Sequence, residues 1–459
     1  MLPLFRHLAC ALFASFALLI CTFCSVAHAA DGPLLPASLP LARAPRSSIS
    51  LKEAIELALR THPSGAQARA NVDVASARLE EARAAYLPQV TASAQYQRTT
   101  GNIVVRPGYS TSSTASTAAT WNRTSNNYTF GATASQLIYD FGQTSGRWRA
   151  SEATEASARG SERATWVQIV SNVRKAYFQA RAQKDLVEVA IDALKNQERH
   201  LGQIDGLVAQ GMRPEIDRAT AQTTVANAQV QFIAAQNAYV LACAALDQAV
   251  GLSAAAGYQP ADDDMGPVPE EDAPFEQLLE LALRDRPELA AFEQQRKAQE
   301  SIVSAVTGAY GPSLSAQASV SDQGISLGQL TPNWWVGALL SWQLLQGGAT
   351  TGQVHEAKAT LRAIQAQEDT FKLSVRIDVE QSSLAVQAAR ATLAAAEIAL
   401  TNARKQLELA EARYAVGMGS VIELGDSQVV ETQAAAQHVN AGFTLASARA
   451  TLLGALGRQ

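Results

Sequence analysis

Leu51–Pro63 reads LKEAIELALRTHP, and Phe275–Pro287 reads FEQLLELALRDRP. Apolar residues, charges and the closing Pro fall in the same places. The second stretch lies 224 positions after the first, and Tyr86-Leu87-Pro88 recurs as Tyr310-Gly311-Pro312 with the same displacement. Further along, the displacement becomes 206: Gly131 matches Gly337, Gly211-Met212 matches Gly417-Met418, and Gly251 matches Gly457. The two displacements differ by 18 residues, which marks an insertion in the first half between Pro88 and Gly131. A chain that repeats itself over this length builds a pseudo-symmetric architecture.

Each half opens with a short amphipathic helix, Ser50–Thr61 and Pro274–Arg286. Ser50 with Glu53 three residues on makes a capping box. Pro63 and Pro287 stand where a first helical turn tolerates Pro. A second helix runs to Tyr86 or Tyr310, and Pro88 or Pro312 ends it.

The period then changes from 3.6 to 2. Residues 89–97 place Val90, Ala92, Ala94 and Tyr96 on one face, and residues 313–321 place Leu314, Ala316, Ala318 and Val320 on one face. Partner strands follow at 128–137 and 334–342, the latter with Trp334, Val336, Ala338, Leu340 and Trp342 on one side. Alternation of this kind marks half-buried strands. Strands of about ten residues with aromatics near their ends have membrane-barrel dimensions. The same alternation also suits four hairpin strands on a soluble sheet. The first interstrand loop, Arg98–Asn127, is long, polar and contains Trp121; the second, Asp322–Asn333, is short.

Two long helices follow, Gln143–Gln210 and Gly348–Val416, neither containing Pro. At 1.5 Å per residue each reaches about 100 Å. After a Gly-Met break, return helices of about 35 to 40 residues end near Gly251 and Gly457. Val379, Val386, Leu393, Leu400, Leu407 and Tyr414 recur every seven residues. A sustained seven-residue stripe means helices supercoiled side by side. The fold is therefore mostly α, with four strands and long coiled-coil helices.

Met1–Ala29 reads as a signal peptide: Arg6 and His7, an apolar stretch Leu8–Val26, then the Ala27-His28-Ala29 cleavage site. Cys10, Cys21 and Cys24 fall inside it, so the mature chain keeps Cys243 and has no internal disulfide. Later apolar runs are too short for a spanning helix. The formal net charge is −5 without a basic block, which argues against nucleic acid. Ala dominates the apolar residues, which suits long helices packed closely on small side chains. The chain divides into signal peptide (1–29), extended leader (30–49), first repeat (50–257), acidic linker (258–273) and second repeat (274–459).

The tandem order of elements, the signal peptide and the segment Tyr414–Asp426 (YAVGMGSVIELGD) together resemble the TolC-like outer-membrane factors, the exit ducts of bacterial efflux pumps and type I secretion systems. The resemblance spans about Ser50 to Gly457. It implies a homotrimer in outer-membrane lipid, with four strands per chain in a shared twelve-stranded barrel and a periplasmic helical tube. It also implies two partners, a periplasmic adaptor (membrane fusion) protein and an inner-membrane transporter, which open the tip by untwisting its coiled coils. Substrate choice lies mainly with the transporter. The physics agrees, because four strands cannot close a barrel alone and open edges are not tolerated in lipid.

No enzyme site presents itself in the sequence. His62, His200, His355 and His438 lack metal-ligand spacing, Gly65, Gly101 and Gly108 form no phosphate loop, and Cys243 lies in an Ala-rich helix without a neighbouring His. No cofactor or metal is expected. The helix tips are the candidate site. Gly211 and Gly417 end helices by adopting positive φ. By the resemblance, Gly211, Met212, Arg213, Gly417, Met418 and Gly419 meet the adaptor. Asp217 and Glu423 hold equivalent positions, with Asp426 one turn beyond. Carboxylates at a helix N-terminus are ordinarily favoured by its dipole, yet one per chain in a trimer also makes a cation-attracting ring. The resemblance places Asp217, Glu423, Asp426 and Tyr414 at the constriction. The family often has a basic locking residue where Gly419 stands; here Arg213 or Arg218 is available instead. The alternative is a coiled-coil envelope protein with no transport role.

Overall fold

The computed structural model describes residues 47–101, 123–252, 257–416 and 418–458. The expected signal peptide, most of the leader, Trp121 and Gly417 lie outside these residues. Chain order runs β1 (Ser47–Ile49), α1 (Leu51–Thr61), α2 (Pro63–Ala84), β2 (Gln89–Gly101), β3 (Arg123–Tyr139), α3 (Gln143–Ala209) and α4 (Glu215–Val250). Then follow β4 (Tyr258–Pro260), α5 (Phe275–Asp285), α6 (Pro287–Gly308), β5 (Ser313–Gly324), β6 (Thr331–Ser341), α7 (Ala349–Ala415) and α8 (Val421–Ala455).

Local chemistry accounts for the boundaries. Ser50 Oγ accepts from the Glu53 amide at 3.3 Å, and the Glu53 carboxylate accepts from the Ser50 amide at 2.9 Å, which completes the capping box of α1. Pro63 and Pro287 open α2 and α6. Each of α3 and α7 runs 67 residues, uninterrupted by a missing amide donor.

Four of the strands form one antiparallel sheet in the order β2-β3-β5-β6. Its register aligns small and aliphatic side chains across all four strands. Val90 pairs with Ala134, Ala134 with Ala318 and Ala318 with Val336. One row over, Ala92, Ala132, Val320 and Trp334 line up in the same way. Tyr96 and Tyr128 stack at 5.0 Å towards the end of that face. The other face carries hydroxyls such as Thr133 and Ser319, 3.3 Å apart. Among the described residues, β2 and β6 each keep an unpaired edge.

Each half has its own core under its short first helix. Ala54 and Ala58 of α1 pack with Trp166, Val173 and Tyr177 of α3 and with Leu246 of α4. Leu278 and Ala282 of α5 pack with Val375, Val379 and Val386 of α7 and with Leu452 of α8. Cys243 is buried in the first core. The seven-residue stripe lies inward: Val379, Val386 and Leu400 are buried and Leu393, Leu407 and Tyr414 half-buried.

A seam joins the halves. β3 pairs with β5, and α3 lies against α6. A Cβ added at Gly146 would stand 2.7 Å from that of Ala305, and one at Gly160 would stand 2.9 Å from that of Ala291. Ser157 Oγ donates to the Ala291 carbonyl at 2.9 Å beside the second contact. Lower down, Gln197 of α3 donates to Gln428 of α8 at 2.9 Å.

The leader and linker hold more structure than composition suggests. β1 and β4 form a parallel pair, Ser47 with Tyr258 through Ile49 with Pro260. The linker carboxylates then fasten the long helices. Asp263 accepts from the Leu51 amide at 2.8 Å and stands 3.1 Å from the Tyr177 hydroxyl. Asp262 pairs with Lys184 at 2.7 Å and Asp264 with Arg181 at 2.6 Å. Glu271 has a side chain only 2% exposed and meets Arg449 at 2.9 Å, Arg390 and the Val268 amide. Burial raises the Glu271 pKa, but the Arg449, Val268 and Arg390 hydrogen bonds outweigh it and hold the carboxyl below its ordinary 4.5. The pair therefore contributes stability above about pH 4.5, which is lost as pH falls through the lowered value.

Breaking a buried ion pair from one side costs about 3–5 kcal/mol. Glu271→Ala is accordingly expected to lower the thermal midpoint at neutral pH and to remove part of the acid-induced drop below pH 4.5. Circular-dichroism melts at several pH values measure both, and melts that match the unsubstituted protein would contradict this account.

Candidate functional site

Both long helices end in the same way. At the first tip the Met212 amide donates to the Leu207 carbonyl and the Gly211 amide to Val208, each at 2.9 Å, with Gly211 at φ 71°. This is a Schellman closure, in which the left-handed residue lets the chain turn back and satisfy the last carbonyls. At the second tip the Met418 amide donates to the Arg413 carbonyl at 3.0 Å. Ser420 then caps α8, its Oγ accepting from the Glu423 amide at 3.1 Å. Met212 and Met418 project as exposed apolar side chains, followed one turn on by exposed Ile216 and Ile422.

The acids are placed in pairs with arginines. Arg213, just before α4, meets Asp217 in its first turn at 3.7 Å. Arg413 meets Glu423 at 2.8 Å and ties the end of α7 to the start of α8. Asp426 is exposed. Arg218 turns back to Asp205 and Glu215, each at 3.1 Å, so it stays within the first hairpin. Arg213 reaches out of it: its guanidinium lies 5.7 Å from the ring centroid of Tyr414 on α7. Of the two candidate lock residues, Arg213 is the one that touches both hairpins.

Gly419 has a steric reason. A Cβ there would lie 3.0 Å from the Tyr414 amide nitrogen, so a larger residue requires that turn to shift. Arg413 and His200 were not singled out by sequence. Arg413 stands beside Tyr414 and ten positions before Glu423, a signal that only becomes legible once the Gly-Met break is known to fold the chain back. His200 packs its ring against Tyr414 across the hairpins at 5.4 Å.

The outer membrane efflux protein family matches residues 54–252 and 278–458, most of the chain and both halves. The chain belongs to that family. Among curated proteins, CyaE of Bordetella pertussis is 25% identical over 471 residues, covering 98% of this chain and 95% of its own. The fold is shared with solved channels. The CmeC outer membrane channel of Campylobacter jejuni superposes with a TM-score of 0.77 at 18% identity, covering 89% of this chain and 85% of CmeC. The outer membrane protein VceC of Vibrio cholerae gives 0.76 at 19%, covering 89% and 96%. The protein is thus an outer membrane efflux protein, and it shares the fold of solved outer-membrane channels. With that, a coiled-coil envelope protein without a transport role falls away.

Exposed ion pairs contribute at most about 1 kcal/mol. Arg413→Ala is therefore expected to leave the thermal midpoint in place while speeding amide exchange in the first turn of α8. Hydrogen-exchange mass spectrometry resolves that peptide; unaltered exchange would mean that the pair does not hold the tip.

Proposed function

We propose that three copies of this chain close one channel, with four strands from each in a twelve-stranded barrel and the hairpins of all three forming the periplasmic tube. One observation carries this reading. Leu373, Ile377 and Leu384 of α7 are 66%, 54% and 58% exposed. Their equivalents in α3, at the displacement of 206, are Val167, Ser171 and Phe178, at 7%, 5% and 4%. α3 is covered by α6 and α8 of its own chain. The same displacements assign α2 and α4 of a neighbouring copy to cover α7. The most apolar stretch of α7 is mostly uncovered in the single chain. The unpaired edges of β2 and β6 fit the same arrangement, since a barrel in lipid leaves no edge open.

In such a trimer the tips form the periplasmic mouth. Gly211, Met212, Arg213, Gly417, Met418 and Gly419 make the surface for a periplasmic adaptor, through which an inner-membrane transporter delivers its substrate. Exposed methionines suit it, because an unbranched thioether adapts to a partner surface. Asp217, Glu423 and Asp426 become rings of like charge near the axis and favour cations over anions. Tyr414 stands at the constriction. The duct itself does no chemistry, and opening is a parting of the hairpins.

Ile377→Glu with Leu384→Glu is expected to abolish the trimer seen by light scattering in detergent, where the unsubstituted protein runs as three copies. A single-chain mass for the unsubstituted protein would overturn the trimer. Asp217→Asn, Glu423→Gln and Asp426→Asn together are expected to bring the reversal potential in a salt gradient close to zero. An unchanged cation preference would remove the ring from the account.

A further inference from the structure

His200 lies on α3, in the first hairpin, and Tyr414 on α7, in the second. Their rings meet edge to face, 5.4 Å between centroids and 65° between planes. His200 is 8% exposed. Its Nδ1 and the Tyr414 hydroxyl are buried, and among the described residues neither has a hydrogen-bond partner. We propose that His200 is a positioning residue for Tyr414 and a proton-responsive latch that holds the two hairpins of a chain together at the tip. The proposal rests on the tips being the closing end of the channel.

A neutral imidazole suits this contact and an imidazolium does not. Once protonated, both ring nitrogens are donors, and Nδ1–H would point into a place without an acceptor. Tyr414 also carries the Arg213 guanidinium at 5.7 Å from its ring centroid, so a second cation on the same ring meets like charge. The charged groups on the neighbouring turns are Asp205 on α3, Arg213 before α4, Asp217 and Arg218 on α4, Arg413 on α7 and Glu423 on α8. They are tied to one another in pairs, Arg218 with Asp205, Arg413 with Glu423 and Arg213 with Asp217. Burial holds the imidazole below its ordinary 6.5, opposed by a hydrogen bond with Gln203 on the same helix. The sign follows: the closed contact is intact above pH 6.5 and loses stability as pH falls from there through the lowered value. Carboxylates and guanidinium groups ordinarily titrate outside pH 5.5–7.5, so that window reads imidazole.

The test is single-channel recording of the purified full-length protein in planar bilayers at pH 7.5 and 5.5. The open-to-closed ratio is expected to rise in acid by up to about tenfold per chain, the ratio of charged to neutral imidazole one unit below 6.5. His200→Phe is expected to keep the closed state and show no rise, and His200→Lys to be open at both pH values. His200→Gln, neutral and polar, stands in should the Phe variant fail to assemble, with the same flat response expected. A rise that persists in the Phe or Gln variant overturns the latch and passes the response to other groups. Unsubstituted protein that gates but ignores pH overturns the latch alone. Unsubstituted protein fixed in the open state overturns the tips as the closing end.

Discussion

The close approach of α3 to α6 is the contact on which the remaining structure depends. It works because two glycines face two alanines: no side chain larger than a methyl separates the backbones at Gly146 and Ala305 or at Gly160 and Ala291. With so little between them, the helices gain dispersion contacts along their length in place of a thick apolar core. The approach also aligns the elements above. β3 runs directly into α3, and β5 follows α6, so the helix seam brings the two hairpins of strands to one register. A bulkier residue at either glycine would push apart both the helix pair and the sheet.

Electrostatics holds the middle of the molecule and keeps its ends loose. Glu271 is one of the deeply buried charges among the described residues, and it is satisfied by two arginines and a backbone amide rather than by one partner. That anchors the linker to α7 and α8, while Asp262 and Asp264 do the same to α3. At the tips the pairs are shallower, such as Arg413 with Glu423 and Arg213 with Asp217. Partial exposure makes them weak and salt-dependent. In the proposed channel, a duct fixed at its waist and loosely tied at its tips is mechanically suited to tips that move.

Much of the fold was legible in the sequence, because its elements are long and their periods differ. Two unbroken runs without Pro, a seven-residue stripe and four period-2 segments mark α3, α7 and the sheet, and the Ser50–Glu53 capping box marks the start of α1. The parts that escaped are short or distant. β1 and β4 are three residues each, too few for a period to register. Composition marked the linker as acidic, but the arginines that meet Glu271 lie more than a hundred positions away. At the tips, Gly and the paired acids were readable as a helix break and its flanks. The His200–Tyr414 contact was not, because it depends on how the two hairpins lie together.

The uncovered face of α7 has a consequence for how the protein comes into being. In the trimer proposed above, a newly exported chain carries Leu373, Ile377 and Leu384 in water until another copy covers them. Its cost of exposure falls only on meeting that copy, so completion of the fold depends on concentration. Folding and assembly are then a single event, and a lone chain crossing the periplasm is at its most adhesive along the surface that will later seal the wall. The escort such a chain needs is one that shields a single helix face.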